Sequence, residues 1–535
     1  MQRVIPLFLL ITILSACQND GPTMPDQLPE VRLSLSDVAT LTPEWVHTSN
    51  PSAGNDYLSS VTCDADGNYV ASGGDYAADE FGQWRVEKID ADGGLVWTYT
   101  SNPGFYDGAS DVVIDVEGNY VVAGTERRFG GWRGGNYGWR VEKLSPGGTV
   151  LWVYTHNPTG IDDYVDGLAV DHQGNYVVVG DEYSVYESNV RIRVEKLDPG
   201  GSLIWSYVSD PTTGYDRSSS VAIDAGGNYV VAGYDEPSDA NNFRWRIEKL
   251  DPGGTRTWEY TSDPVNDTPL GDKGDKALAV AVDANGDYVV AGTDLVPGDG
   301  QWRVEKLAPS GALLWTYVSN PSSGDDYPRS VAIDADGSYL VAGWDWVEAN
   351  PRWRIEKLSQ DGELLWVFTD YPGAGGGYLY SMAVCPDGSR VASGVDYTNG
   401  DGQCRVVKYG PSVIPVTIDV KPGSDPNSIN CNNPEEVITV AILTTDNFDA
   451  TTVDHTTVTF EGATEAHFSN KTFEARRHEE DVDLDGDTDL VLHLRRGATS
   501  LTCSSTEGTL TGETIGAEQI EGTDAVRMID EGGGQ

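Results

Sequence analysis

Seven tryptophans, Trp45, Trp97, Trp152, Trp205, Trp258, Trp315 and Trp366, recur at intervals of 52, 55, 53, 53, 57 and 51 residues. A period of this length belongs to solenoids, arrays or propellers, in which each unit buries its apolar face only against its neighbours. Each unit reads as strand, tight turn, strand, loop, strand, tight turn, Trp strand. In one copy Ser220-Val-Ala-Ile-Asp turns at Gly226-Gly-Asn into Tyr229-Val-Val-Ala-Gly; Trp245-Arg-Ile-Glu-Lys-Leu then turns at Pro252-Gly-Gly. The second strand is almost wholly apolar, as expected of a strand covered on both faces by neighbouring units. Four strands per unit make a propeller blade.

Successive antiparallel strands alternate direction, so both tight turns fall on one face of the disc and the long loops on the other. Trp45 precedes any complete unit, and the last unit ends at residues 404–409 without a Trp strand. The N-terminal strand is therefore predicted to complete the last blade, removing two open sheet edges. The predicted fold is all-β: a seven-bladed β-propeller of four-stranded blades over residues 41–410, a small β-sandwich over 411–530 and a disordered tail over 531–535.

Units such as Asp334-Ala-Asp-Gly-Ser-Tyr-Leu-Val-Ala-Gly followed by Trp353-Arg-Ile-Glu-Lys-Leu resemble the SBBP and delta-60 type β-propeller repeats of bacterial surface proteins, over residues 41–410. The run Lys196-Leu-Asp-Pro-Gly-Gly-Ser-Leu-Ile-Trp also resembles the tryptophan-docking segment of quinoprotein propellers. That likeness implies that Trp205 packs between blades, without implying a quinone. Ile192 and Cys404 stand where five other blades carry Trp.

Met1-Gln-Arg precedes an apolar run over residues 4–14, too short to span a bilayer as a mature helix. Leu14-Ser-Ala-Cys17 resembles the lipobox of bacterial lipoprotein signal peptides. The resemblance implies a signal peptide over 1–17 and lipidation of Cys17. It also implies an extracytoplasmic protein, lipid-anchored to a bacterial membrane, at the outer membrane or cell surface. Residues 18–40, with Pro22, Pro25 and Pro29, read as a flexible tether. With 84 acidic and 35 basic side chains the net charge is -49, which argues against nucleic acid and leaves the lipid as the only membrane contact.

Two residues after each second-strand glycine stands an acid, Asp75, Glu126, Glu182, Asp235, Asp294, Asp345 or Asp396. The third strands offer Arg85, Arg140, Arg193, Arg246, Arg303, Arg354 and Arg405. Seven acids opposite seven arginines read as cross-strand ion pairs. The candidate ligand face is instead the long-loop side, represented by Tyr76, Tyr106, Asp163, Tyr183, Asp216, Asp326, Trp346 and Tyr397. Acids interleaved with aromatics suit sugars or cationic peptides.

No nucleophile motif is present, and the propeller's His47, His156 and His172 lie at non-equivalent places. No catalytic residue and no organic cofactor is therefore assigned. The expectation is a monomeric binding or scaffolding protein for a glycan or an envelope protein. The alternatives are a carbohydrate-active enzyme, glycosidase or lyase, using loop-face carboxylates, and a purely architectural envelope protein.

After residue 410 the repeat stops. Asp481, Asp483 and Asp485 take the first, third and fifth positions of a calcium loop, Gly486 permits its turn, and Asp487 and Asp489 follow. Leu492 replaces the glutamate of the twelfth position, so the loop departs from an EF-hand. With the runs Lys421-Pro-Gly-Ser and Val440-Ala-Ile-Leu, the segment resembles a C-terminal module common in secreted bacterial proteins. Cys431 and Cys503 are a candidate disulfide. The pairing of Cys63, Cys385 and Cys404 is left open by the sequence.

Overall fold

The computed structural model describes residues 41–530 apart from 77–81, 103–106, 129–135, 184–188, 238–242, 264–273, 297–298, 348–349, 373–374, 399, 411–412, 446–447, 468–474 and 516–518. The expected signal peptide, Cys17, the tether and the 531–535 tail lie outside the described residues.

Seven four-stranded antiparallel sheets follow one another along residues 43–409. Six are built from consecutive strands. The seventh takes Pro43–Ser49 as its outer strand, paired antiparallel with Gln403–Tyr409 so that Trp45 lies opposite Lys408. The chain closes on itself as the isolated Trp45 foretold, and neither terminal sheet keeps an open edge there. The first strand of each blade is innermost: Tyr57–Cys63, Gly108–Ile114, Asp163–Val170, Arg217–Ile223, Lys276–Val282, Tyr327–Ile333 and Gly377–Val384. These seven strands ring a central channel and begin at its long-loop end.

In six of the seven blades the Trp of the outer strand docks on the second tight turn of the next blade; the exception is Trp366, whose neighbour is the seam blade, where the closing strand stands in place of that turn. The Trp205 indole donates to the Pro252 carbonyl at 3.2 Å, and Trp97, Trp152 and Trp258 repeat the bond to Pro146, Pro199 and Pro309. Gly254 has φ +84°, and a Cβ there would sit 2.9 Å from the Trp205 ring, so both backbone and packing require glycine. The docking expected for Trp205 is thus present between blades. Ile192 and Cys404 are buried like the third-strand tryptophans they replace.

Between blades the structure adds a buried charge network. Lys196 lies 2.9 Å from Asp171 in its own blade and donates to the Tyr229 hydroxyl of the next blade at 2.7 Å; that hydroxyl donates back to Asp171. The triad recurs as Asp64–Lys88–Tyr120 and Asp224–Lys249–Tyr288. At the ring's seam Cys385 replaces the turn aspartate and is disulfide-bonded to Cys63 of the first blade, leaving Cys404 free and buried.

The C-terminal domain packs two four-stranded sheets around an apolar core that includes Ile438, Val440, Phe460, Leu492 and Leu510. Cys431 and Cys503 form the expected disulfide.

Because the Cys63–Cys385 bond spans 322 residues of chain, it restricts the unfolded state strongly. Cys63→Ser is expected to cost about 2–5 kcal/mol of stability. Denaturant unfolding of variant and parent measures it; an unchanged midpoint would contradict a seam closed by this bond.

Candidate functional site

The channel opens at the long-loop face and contains a cavity of about 670 Å³ lined by the inner strands of all seven blades. A second hollow of about 550 Å³ forms its mouth between the first four blades. Equivalent positions in these strands carry different residues. Tyr57, Gly108, Tyr164, Arg217, Lys276, Tyr327 and Tyr378 form one level; Ser59, Ser110, Asp166, Ser219, Leu278, Arg329 and Tyr380 form the next. The seven-fold repeat stops at the channel wall.

Aromatic rings pave that wall. Tyr57 stacks on Tyr76 at 5.8 Å and meets Tyr380 edge-on; Tyr380 adjoins Tyr378 and Trp344, and Trp344 reaches Tyr327 at 5.3 Å. Tyr137, Tyr164 and Tyr183 form a second group across the mouth. The Arg329 guanidinium lies 4.9 Å from the Trp344 ring centre. It has no carboxylate partner among the described residues. Protein surrounds Arg329, and the resulting desolvation holds it below the usual guanidinium range, yet its surface is open to the cavity.

The opposite wall is acidic. Asp166 lines the cavity beside Asp181, whose carboxylate lies 3.3 Å from Arg217. Burial pushes Asp166 up to about 7, against the lowering effect of the Ser218 hydroxyl and Arg217. Burial and the Asp166 charge raise Asp181 well above the carboxylate range. Asp111, also at the wall, is raised to about 6 by burial, although it accepts from Ser60, Leu168 and Val112.

The predicted ligand face divides. Tyr76 and Tyr183 line the mouth, and the Tyr183 hydroxyl accepts from Arg217 at 2.9 Å. Trp346 and Tyr397 flank Tyr378 near that end, and Tyr106 lies outside the described residues. Asp163, Asp216 and Asp326 are fully buried beneath their loops. Each caps its own loop: Asp326 accepts from the Ser322 hydroxyl at 2.6 Å and from the Trp346 amide at 3.1 Å, tying the loop to the second strand. Asp163 does the same with Thr159 and Tyr183, and Asp216 accepts from Thr212. The channel groups Asp166, Arg217 and Arg329 were missed; their signal was variation at positions where the repeat is otherwise regular.

The seven arginine–acid pairs are all present, from 2.8 Å for Arg140–Glu126 and Arg193–Glu182 to 4.0 Å for Arg303–Asp294. Apart from the half-buried Arg140 they are buried, and in six blades the arginine also holds a glutamate two residues along, as Arg246 holds Glu248 at 2.6 Å. A carboxylate so engaged is structural.

In the C-terminal domain carboxylate oxygens of Asp483, Asp485 and Asp487 converge within 4.8 Å, and those of Asp481, Asp483 and Asp489 form an overlapping set. Asp489 differs from the rest: it is fully buried and accepts from the Thr444 and Val482 amides at 2.8 Å, anchoring the loop. Asp487 Oδ1 is buried with no hydrogen-bond partner among the described residues. Desolvation and the neighbouring charge of Asp485 push Asp487 up to about 6. An orphaned oxygen amid mutually repelling carboxylates fits a hard cation.

No family model and no curated protein matches the chain. Among solved structures it is similar to a catalytically inactive virginiamycin B lyase from Staphylococcus aureus with quinupristin. That match has 12% identity, covers 68% of this chain and 99% of that one, and has a TM-score of 0.44. It is also similar to an ulvan lyase bound to a GlcA–Rha3S saccharide, at 10% identity, 67% and 95% coverage and TM-score 0.41. Sqt1 from Chaetomium thermophilum follows at 12% identity, 66% and 83% coverage and TM-score 0.38.

The buried acids titrate in two opposed groups. Burial raises Asp163 to about 6 and Asp216 and Asp326 to about 7; this group favours folding below its unfolded pKa and loses that contribution as pH rises through 6–7. Burial also acts to raise Asp224, but donors from Asn228, Lys249 and Tyr288 outweigh it and hold the carboxyl at about 2. Asp64, Asp115, Asp171 and Asp283 are lowered likewise, and their contribution is lost as pH falls below about 4. The melting temperature should therefore rise on acidification from about pH 8 to 5 and fall below about 4. Asp216→Asn, which fixes the neutral form, should flatten the upper slope. A melting temperature that falls steadily from pH 8 to 5 would contradict this.

Proposed function

We propose that this is a binding protein whose propeller channel takes a glycan segment bearing a carboxylate or sulfate, entering from the long-loop face. One observation carries the reading: Arg329 presents a guanidinium without a carboxylate partner among the described residues to a channel paved with aromatic rings, in a protein of net charge -49. The rings suit the apolar faces of sugars, the guanidinium suits an anionic substituent, and serine hydroxyls of the inner strands offer further bonds. A cavity of about 670 Å³ is in the range of small-ligand sites. The lipobox resemblance supports a lipid-anchored position at a bacterial surface, where such glycans are met. The long-loop face recognises the ligand through the channel rather than through its loop aspartates.

Turnover of the same glycan is the second reading, favoured by Asp166 beside Asp181 at the cavity wall, where a protonated and an ionised carboxylate would serve as acid and base. Titration calorimetry with uronate and sulfated oligosaccharides, followed by product analysis, separates the two. Arg329→Ala should weaken binding about 10- to 100-fold with an unchanged melting temperature. Loss of turnover, but not of binding, in Asp166→Asn would favour the enzyme. Binding unaltered by both Arg329→Ala and Tyr380→Ala would overturn the channel site.

The acidic loop is proposed to hold calcium through Asp481, Asp483, Asp485 and Asp487, with Asp489 fixing the loop from beneath. Calcium should raise the melting temperature of the C-terminal domain over that in chelator, and Asp483→Asn should remove the increment. An identical melting curve with and without calcium would exclude the site.

A further inference from the structure

Three of the seven histidines, His467, His478 and His493, meet in the C-terminal domain. Their ring centres lie 4.6 Å apart for His467 and His493, 4.9 Å for His478 and His493, and 5.4 Å for His467 and His478. One nitrogen of each ring lies within 4.8 Å of the other two. The sheet produces this meeting. His478–Glu480 pairs antiparallel with Asp489–Arg495 so that His478 faces Val491, and His493, two residues further on, projects from the same face. The segment before His467 continues along that edge: Glu465 bridges to Leu494, and the Ala466 amide donates to the His493 carbonyl at 2.7 Å.

Two further features set this group apart from three packed rings. His478 Nε2 and His493 Nδ1 are buried without a hydrogen-bond partner among the described residues, an arrangement that costs free energy in each case unless something coordinates the lone pair. Glu465, itself buried, accepts from the backbone amides of His467 at 2.6 Å and His493 at 2.8 Å, clamping the two residues together. From this geometry we propose that His467, His478 and His493 form a three-imidazole site for one divalent transition-metal ion of the zinc class. Nitrogen donors select such an ion over calcium, and three protein ligands leave a fourth position open to water or an exogenous ligand. The site is separate from the acidic loop, although residues 481–488 of that loop join the two strands that carry His478 and His493.

The test uses the purified full-length chain, stripped of metal and then held in excess calcium so that the carboxylates are occupied. Titration calorimetry with Zn²⁺ should show one ion bound per chain, and Co²⁺ in its place should give the intense visible absorption of a four-coordinate centre. His467 is exposed, so His467→Ala should keep the metal-free melting temperature while losing both signals. Absence of zinc binding to the parent overturns the proposal. So does binding that survives in the His467→Ala, His493→Gln double variant, or binding lost in Asp483→Asn, Asp485→Asn while the histidines are intact.

Discussion

The glutamate in the third strand of six blades is the point on which the ring's geometry rests. Glu195 shows its situation: Arg193 grips it at 2.6 Å within the blade, while the Tyr154 hydroxyl and His156 reach it at 2.8 and 2.6 Å from the outer strand of the preceding blade. Glu142 is held by Tyr99 and Ser101, Glu248 by Tyr207 and Ser209, and Glu356 by Tyr317 and Ser319. A buried carboxylate is tolerated only when its lone pairs are met, and these are met from two blades at once. Removing one partner leaves an uncompensated buried charge, at a cost of about 3–5 kcal/mol, so neighbouring blades have little freedom to shift in register.

This arrangement separates the fold from the site. Arginine, glutamate, lysine, turn aspartate and docking tryptophan all lie outside the innermost strand or at its far end, and they recur because each interface must be satisfied in the same way. The channel wall joins blades too, but by bonds particular to each junction, as where Asp111 accepts from Ser60 and from the Leu168 amide. Its residues vary from blade to blade, with Asp166, Arg217, Lys276, Arg329 and Tyr380 each occurring once at its level. In a seven-fold scaffold, asymmetry at the axis is what a single asymmetric ligand requires.

The same separation explains what was legible in the sequence. The tryptophan period and the stranded Trp45 sufficed for the number of blades and for the closing strand, because both are consequences of nearest-neighbour packing. The acid and arginine series was read correctly as paired. Its burial is not legible in the spacing, since the third-strand glutamates that share those arginines, such as Glu195, find partners like Tyr154 across a blade interface that no single repeat displays. Asp216 and Asp326 were read as loop-face groups because a loop aspartate is ordinarily exposed; here each folds under its own loop to cap backbone amides. His467, His478 and His493 escaped notice because they are brought together by strand register, not by any short motif.

Outside the channel wall and Ile192, the repeat breaks chiefly at the seam, and the substitutions there compensate one another. The last blade lacks the turn aspartate, has Arg390 where the five blades before it place the triad tyrosine, and has Val407 in place of the third-strand glutamate. Arg390 lies 2.6 Å from Asp334 and so supplies by charge what tyrosine supplies elsewhere by hydrogen bonding. Lys408, without a turn aspartate, reaches Glu44 on the closing strand at 2.8 Å, and Arg405, without a glutamate, takes Asp370 at 2.9 Å. Cys385 occupies the missing aspartate's position and bonds covalently to Cys63. The seam must form between segments more than 300 residues apart, where loop closure opposes pairing most. A covalent bond and new ion pairs there replace the uniform chemistry that suffices between blades adjacent in the chain.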